Sequence, residues 1–168
     1  MINKIVVHHE AGSNGFYGVN EYHRKLWNFR SSLGFYIGYQ YYIDKTGKTW
    51  QGRADNETGA HTIGQNDNSI GICLEGNFNN VRPTPPQMIA LKNLINKKMT
   101  EYSIPPANIA GHRMFANKDC PGRLVSESEL KALFTPNLSY IQTMIIRIQQ
   151  MLAELRTKLK GKDESQEI

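Results

Sequence analysis

The amino-acid sequence predicts an α/β domain in which helices flank a central mixed β-sheet, followed by a C-terminal helix with a heptad pattern. Residues 5–7 and 69–74 are short apolar runs rich in β-branched side chains, which is typical of buried strands. Residues 87–102 instead repeat apolar side chains at helical spacing, directly after a pair of prolines that favours a helix start. Because strand and helix patterns are interspersed as far as Pro136, we expect helices to pack on a sheet.

Local signals mark the remaining elements. Gly47 lies at the turn of a predicted β-hairpin, and Ser126 followed by Glu129 has the spacing of a capping box that opens a helix. Cys73 falls inside an apolar run and is expected to be a small buried residue. In chain order we expect a strand at residues 5–9, a loop at 12–18, a helix at 19–29, a hairpin at 39–51, a central strand at 69–74 and helices at 87–102 and 126–134.

The character of the sequence changes after residue 137. We predict an α/β domain over residues 1–137, an amphipathic or coiled-coil helix over 138–160 and a flexible tail over 161–168. The apolar seam of this helix either packs on its own domain or pairs with a second copy, and its narrow a/d stripe favours a homo-oligomer formed through residues 138–160. The seam alternates steps of three and four residues through Leu138, Ile141, Ile145, Ile148, Leu152, Leu155 and Leu159.

Charge and composition limit the classes of partner. The net charge of +5 and the pI near 9.2 favour polyanionic partners, among them nucleic acid, anionic lipid and anionic cell-wall polymers. The sequence has no Lys/Arg-rich block interleaved with aromatic residues, which argues against nucleic acid. No apolar run approaches the roughly 20 residues that span a bilayer, and residues 1–11 lack the pattern of a signal peptide. We therefore expect synthesis in the cytoplasm, with release by another agent before any action outside it.

Three residues have the types and the arrangement of a metal site. His112 and Cys120 are separated by a short irregular loop, and His8 follows the first predicted strand. Two imidazoles and one thiolate suit Zn²⁺, and a set of three protein ligands leaves a fourth position for water, as in catalytic rather than structural zinc sites. Each residue taken alone has an ordinary structural explanation. Their occurrence together favours the metal site.

Four stretches of the sequence carry a resemblance to a known family. They are IVVHHEAGS at residues 5–13, GYQYYIDKTGKTWQGR at 38–53, GAHTIGQNDNSIGICLEGNF at 59–78 and GHRMFANKDCPG at 111–122. In this order they make the chain similar to the zinc amidases that include phage amidase-type lysozymes and animal peptidoglycan recognition proteins. The resemblance implies an amidase-like fold, Zn²⁺ as cofactor and residues 1–137 as the catalytic domain. It also implies hydrolysis of the amide between N-acetylmuramic acid and L-alanine in bacterial peptidoglycan, by an endolysin or autolysin that reaches the cell wall after release.

The resemblance also implies roles for individual residues. His8, His112 and Cys120 match the three zinc ligands of the family. Tyr39 and Lys118 match a tyrosine and a lysine that assist catalysis in the lysozyme-like members. A phenol and an ammonium group are suited to stabilising the oxyanion that develops when an amide is attacked.

Three further residues are candidates with open alternatives. Glu75 matches a glutamate that acts as acid and base in recycling-type relatives, although it can equally end a strand and pair with a surface cation. His61 and His9 are the candidate substrate contacts. Because successive side chains on a strand point to opposite faces, His9 can instead pack or support the site from behind His8. His23, on the first predicted helix, is expected to be a solvated surface residue.

Two other functions compete with the wall-lytic amidase. One is a cytoplasmic amidase that recycles released muropeptides, which is compatible with Glu75. The other is a non-catalytic module that binds peptidoglycan and assembles through its coiled coil. Cys120 and Lys118 favour an enzyme over a pure binding module, whereas Tyr39 and the positive charge favour polymeric cell wall over small muropeptides.

Overall fold

The computed structural model describes residues 1–134 and 145–156. The described strands are β1 (Lys4–His9), β2 (Tyr41–Ile43), β3 (Thr49–Gln51), β4 (Ser69–Leu74) and β5 (Ile109–Gly111). The described α-helices are α1 (Gly15–Trp27), α2 (Pro85–Tyr102), α3 (Glu127–Ala132) and α4 (residues 145–156). Short 3₁₀ helices cover Pro106–Asn108 and His112–Met114.

The five strands form one mixed sheet in the order β3-β2-β4-β1-β5. Strand β1 is parallel to β4 and β5, and β2 is parallel to β4, whereas β2 and β3 form an antiparallel hairpin. Strand β4 therefore lies at the centre, which confirms the prediction for residues 69–74 and explains their unbroken apolar run. Because β1 and β4 run in the same direction, His8 lies directly beside Cys73 near the carboxyl ends of these strands.

Alternate side chains of the strands face two separate apolar clusters. Ile5 and Val7 of β1 belong to the larger cluster, which also contains Leu91 of α2 and Leu130 of α3. Cys73 of β4 belongs to the smaller cluster, which includes residues of α1. The sheet is thus covered by α2 and α3 on one face and by α1 on the other, as the predicted fold class requires.

Helix α1 begins at Gly15, inside the stretch expected to be a loop. The cause is tertiary packing, because Phe16 is buried and stacks on Trp50 at 5.2 Å between ring centroids. The prediction that His23 is a solvated surface residue was wrong, since its side chain is 5% exposed and its Nδ1 accepts a hydrogen bond from the Gly38 backbone at 2.9 Å. Burial lowers the pKa of His23 to about 4.

Helices α2 and α3 begin where the local signals predict. Helix α2 starts at Pro85 with a capping box between Thr84 and Gln87. Helix α3 has the predicted box between Ser126 and Glu129, in which each side chain bonds the other residue's backbone N–H. Both helix starts are therefore encoded by short-range hydrogen bonding.

A buried ion pair joins α2 to the loop that follows β3. Lys98 and Asp55 are in contact, with side chains 5% and 10% exposed. The Asp55 carboxylate also accepts hydrogen bonds from the hydroxyls of Tyr41 at 2.6 Å and Tyr102 at 3.0 Å. Its charge is thus bonded by three donors, of which only Lys98 is positively charged, so removal of the Lys98 ammonium group leaves a buried carboxylate without its counter-charge.

We therefore expect the substitution Lys98→Met to lower the free energy of unfolding by about 3 kcal/mol. Urea denaturation followed by circular dichroism measures the change. The matched control is Lys25→Met on α1, because Lys25 is 70% exposed and its nearest carboxylate, in Glu21, is 3.8 Å away. The control should unfold at the wild-type urea midpoint, and equal midpoints for both variants would contradict the proposed stabilisation by the buried pair.

Beyond residue 134 the described residues are those of helix α4. The chain divides into a unit of residues 1–134 and a unit of residues 135–168. Every residue of α4 is exposed, including the four heptad positions Ile145, Ile148, Leu152 and Leu155. Leu138, Ile141, Leu159, the domain boundary near residue 137 and the tail at 161–168 lie outside the described residues, so these parts of the predicted organisation stay predictions. None of the described helices has the length and apolarity needed to cross a membrane.

Candidate metal centre

The three predicted metal ligands come together from distant parts of the chain. His8 lies near the end of β1, His112 follows β5 directly, and Cys120 lies on the loop after the 3₁₀ helix His112–Met114. One potential donor atom from each of the three lies within 4.8 Å of the other two. The Nδ1 atom of His8 is 3.7 Å from the Sγ atom of Cys120.

This set of donors fits a zinc ion. Zn–S bonds of about 2.3 Å and Zn–N bonds of about 2.0 Å at a tetrahedral angle place the two donor atoms about 3.5 Å apart. His8 and Cys120 are buried and His112 is half-buried, so the site is shielded while one side stays accessible. Two imidazoles and a thiol, with no carboxylate in the group, suit zinc better than magnesium or calcium.

The protonation states of the ligands are also compatible with metal binding. Burial, together with the neighbouring His61 and His112, lowers the pKa of His8 well below its usual value, so its imidazole is neutral at pH 7. Burial raises the pKa of the Cys120 thiol to about 11, against the opposing effect of a hydrogen bond from the His9 backbone. A metal would bind Cys120 as a thiolate, so binding would release a proton.

Arg113 and Glu127 hold the loop that carries the ligands, and neither was predicted from the sequence. The Arg113 backbone N–H donates to the Cys120 carbonyl at 2.7 Å, and its guanidinium donates to the carbonyls of Gly122 and Val125. The Glu127 carboxylate accepts the Gly111 backbone N–H at 3.0 Å. Arg113 is next to His112 in the sequence, but its contacts depend on a loop closure that no local pattern reveals.

The three candidate ligands line a cavity of about 690 Å³. This volume is within the range of small-molecule binding sites. Seven of the eight predicted site residues line it, namely His8, His9, Tyr39, His61, His112, Lys118 and Cys120.

The two candidate catalytic residues Tyr39 and Lys118 are close to the ligands. The rings of Tyr39 and His8 are 5.0 Å apart between centroids. Burial raises the pKa of the Tyr39 phenol well above its usual value, so its hydroxyl is protonated at neutral pH. Lys118 is exposed and lines the cavity, and burial together with the positive charge of Lys118 lowers the pKa of His112.

Glu75 is the one predicted site residue that does not line the cavity. One oxygen of its carboxylate lies 3.6 Å from the Lys45 ammonium group, and the other accepts the Lys45 backbone N–H at 3.3 Å. The structure therefore does not bring Glu75 to the ligands. Its surroundings match the alternative considered above, a residue that ends a strand and pairs with a surface cation.

His61 and His9 line the cavity but differ in their contacts. The Nδ1 atom of His61 is 3.1 Å from Nε2 of His8, and burial lowers the pKa of His61 to about 3. The Nδ1 atom of His9 accepts the Phe78 backbone N–H at 3.1 Å, on the face of the sheet opposite to His8. The alternation expected for adjacent strand residues is thus observed.

Comparison with known proteins identifies the family. Residues 1–123 match the sequence profile of the family described as N-acetylmuramoyl-L-alanine amidase. This chain belongs to the N-acetylmuramoyl-L-alanine amidase family. The metal-ligand candidates His8, His112 and Cys120 all lie inside the matched residues, as do both candidate catalytic residues.

Relatives of this amidase-family chain include recognition proteins and amidases. Peptidoglycan-recognition protein SC2 of Drosophila melanogaster is 33% identical over 128 residues, which is 70% of this chain and slightly less than two thirds (66%) of that protein. The structure of N-acetylmuramoyl-L-alanine amidase LysC from Clostridium intestinale is similar with a TM-score of 0.69 at 34% identity, over 78% of this chain and 83% of that chain. Drosophila PGRP-LB gives a TM-score of 0.64 at 28% identity, over 78% and 80%. The mixed sheet with flanking helices is thus the fold of this family.

Proposed function

We propose that this chain is a zinc-dependent amidase that hydrolyses the bond between N-acetylmuramic acid and L-alanine in bacterial peptidoglycan. The observation that carries the proposal is the convergence of His8, His112 and Cys120, with donor atoms within 4.8 Å of one another, on a cavity of about 690 Å³. The names of its relatives point to peptidoglycan as the partner. Because the family includes recognition proteins, binding without hydrolysis is the alternative. Cys120 favours the enzyme, since a binding module does not require an open zinc site.

The residues around the cavity supply the remaining chemistry. Bound to the three ligands, Zn²⁺ would polarise the carbonyl of the amide and lower the pKa of a water molecule to near 7. Lys118 places a positive charge at the edge of the cavity, where negative charge develops on the carbonyl oxygen during attack. The protonated phenol of Tyr39 also lines the cavity and would donate a hydrogen bond to the same oxygen.

The polymeric cell wall is favoured over small muropeptides as the substrate. The net charge of +5 raises the local concentration of an anionic polymer around the protein. The structural likeness to the endolysin amidase LysCS of Clostridium intestinale, at 34% identity, supports a role as an endolysin. The glutamate expected of a recycling-type amidase, Glu75, does not line the cavity. We therefore propose action on the cell wall after release from the cytoplasm.

The direct test is the release of new amino termini from purified peptidoglycan sacculi, with and without a zinc chelator. An amidase should release new N-terminal alanine, lose this activity with the chelator and regain it when zinc is added back. Stoichiometric zinc and binding to sacculi without new amino termini would contradict the enzyme and leave the recognition module.

We further propose that the chain self-associates through residues 138–160. In helix α4 the heptad residues Ile148 and Leu152 are 52% and 49% exposed, and a strict a/d stripe of this kind is suited to a second copy. Sedimentation should give the full chain a larger mass than expected for one copy, and a chain ending at Asn137 the mass of a monomer. The double substitution of Ile148 and Leu152 by glutamate should also give a monomer, whereas Gln149→Glu outside the stripe should not. Equal monomer masses for the full and shortened chains would contradict the proposal.

A further inference from the structure

We infer that His61 is a positioning residue for His8. In this assignment the Nε2–H group of His8 donates a hydrogen bond to Nδ1 of His61. This leaves Nδ1 of His8 as the metal-binding nitrogen. The inference rests on the zinc site of the proposed function but not on hydrolysis of peptidoglycan. It gives His61 a different role from the substrate contact that the family resemblance implies.

The two ring nitrogens of His8 face different partners. Its Nδ1 is 3.7 Å from Sγ of Cys120 and so faces the other metal ligands. Its Nε2 is 3.1 Å from Nδ1 of His61 and 3.3 Å from Oγ1 of Thr62. A neutral imidazole that binds a metal through Nδ1 carries its proton on Nε2. That proton needs an acceptor, and a hydrogen bond of this kind fixes both the ring orientation and the tautomer of a metal-binding histidine.

Nδ1 of His61 is able to accept this hydrogen bond. Its Nδ1 is also 3.0 Å from the hydroxyl of Thr62, whose O–H can point either to the ring or away from it. Its Nε2 is buried and has no hydrogen-bond partner among the described residues. Since Nε2 is inaccessible to solvent and Nδ1 faces His8 and Thr62, neither nitrogen is presented to a substrate. A role toward His8 therefore accounts for the contacts of His61 better than direct substrate binding.

The fold leaves a close-fitting space for the His61 ring. A Cβ atom at Gly71 of the central strand β4, or at Gly59, would lie 2.5 Å from Cδ2 of this ring. A Cβ atom at either position would therefore force the ring or the glycine backbone to shift. The backbone is held as well, because the N–H groups of His61 and Thr62 both donate to Oδ1 of Asn66, at 2.9 and 2.8 Å. The ring is thus confined at hydrogen-bonding distance from His8.

Two substitutions of His61 separate a positioning role from a merely structural one. In His61→Asn the amide oxygen lies near the position of Nδ1, so an acceptor for His8 is retained. In His61→Gln the amide lies near the position of Nε2, and the acceptor is lost. Competition with a chromogenic chelator measures the zinc affinity of each variant. We expect zinc affinity about 10- to 100-fold weaker for His61→Gln and within about threefold of wild type for His61→Asn. The absorption spectrum of bound Co²⁺ should change only in the Gln variant.

The outcomes are distinct. Folding of the metal-free variants is checked by thermal unfolding. Wild-type zinc affinity in a folded His61→Gln variant, or an equal loss in both variants, would overturn the assignment. A measurement on the wild type needs no variant: ¹⁵N NMR of the zinc-loaded protein with labelled histidine should show His61 protonated on Nε2 and unprotonated on Nδ1. The opposite tautomer would also overturn it.

These measurements use no peptidoglycan, so they are independent of the proposed activity. If wild type binds zinc as described but releases no new amino termini from sacculi, the proposed function fails and the positioning role stands. If sacculi are cut but His61→Gln binds zinc like wild type, the positioning role fails and the function stands.

Discussion

Replacement of Cys120 by serine is expected to remove the bound zinc and lower the release of new amino termini from sacculi by about 10³-fold or more. Serine keeps the size of the side chain but not the thiolate, and only two imidazoles remain as ligands. A zinc ion at this site would contribute several kcal/mol of transition-state stabilisation, and each 1.36 kcal/mol corresponds to a factor of ten in rate. Elemental analysis of the purified protein gives the zinc content, and the sacculus assay gives the rate.

The chain offers a matched control for this variant in its other cysteine. Cys73 is also buried and also a free thiol, but it belongs to the apolar cluster beneath α1 and not to the group of metal ligands. Cys73→Ala should keep one zinc ion per chain. A Cys120→Ser variant that retains one zinc ion and the wild-type rate would show that the thiol is not a ligand.

The second large effect is expected at Tyr39. Tyr39→Phe removes one hydroxyl beside the ligands and should lower turnover by about 10²- to 10³-fold, the usual loss when one oxyanion donor is removed. The zinc content should stay at the wild-type level, because the candidate ligands His8, His112 and Cys120 are unchanged in this variant. Measurement of both quantities on the same preparation separates loss of the donor from loss of the metal.

Glu75→Gln distinguishes the two acid–base candidates that the sequence offers. The Glu75 carboxylate is bonded to Lys45 outside the cavity, so this variant should cut sacculi within about twofold of the wild-type rate. Removal of a catalytic acid or base usually lowers the rate much more, by about 10²- to 10⁴-fold. If Tyr39→Phe is fully active and Glu75→Gln is not, the assignment of the donor to Tyr39 is wrong.

Several elements of the fold could be predicted because their signals are short-range. The capping box of Ser126 and Glu129 and the hairpin turn at Gly47 depend on residues a few positions apart. The apolar run at residues 69–74 marks the central strand because a strand buried on both faces has no polar side chain. The start of α1 was not predictable in this way, because Phe16 packs on Trp50 from a segment that looks like a loop.

The sequence by itself determined which types of side chain are available at the candidate site. The order and spacing of His8, His112 and Cys120, within motifs that resemble a family, were sufficient to predict these three residues as candidate metal ligands and Tyr39 and Lys118 as candidate catalytic residues. These residues can be recognised from the sequence alone because each lies in a short motif, and the proposed chemistry requires a particular residue type at each position.

Only the tertiary structure decided the directions in which these side chains point and the partners they meet. His61 reaches His8 across 53 positions of sequence, His23 is buried against the Gly38 backbone, and Glu75 turns to Lys45 away from the cavity. Such contacts follow from the register of β1 against β4 and from the conformation of the surrounding loops. Both depend on many weak interactions between residues that are distant in the sequence. A local pattern carries the residue type and its secondary structure, whereas the distance between two remote atoms depends on the packing of the whole domain.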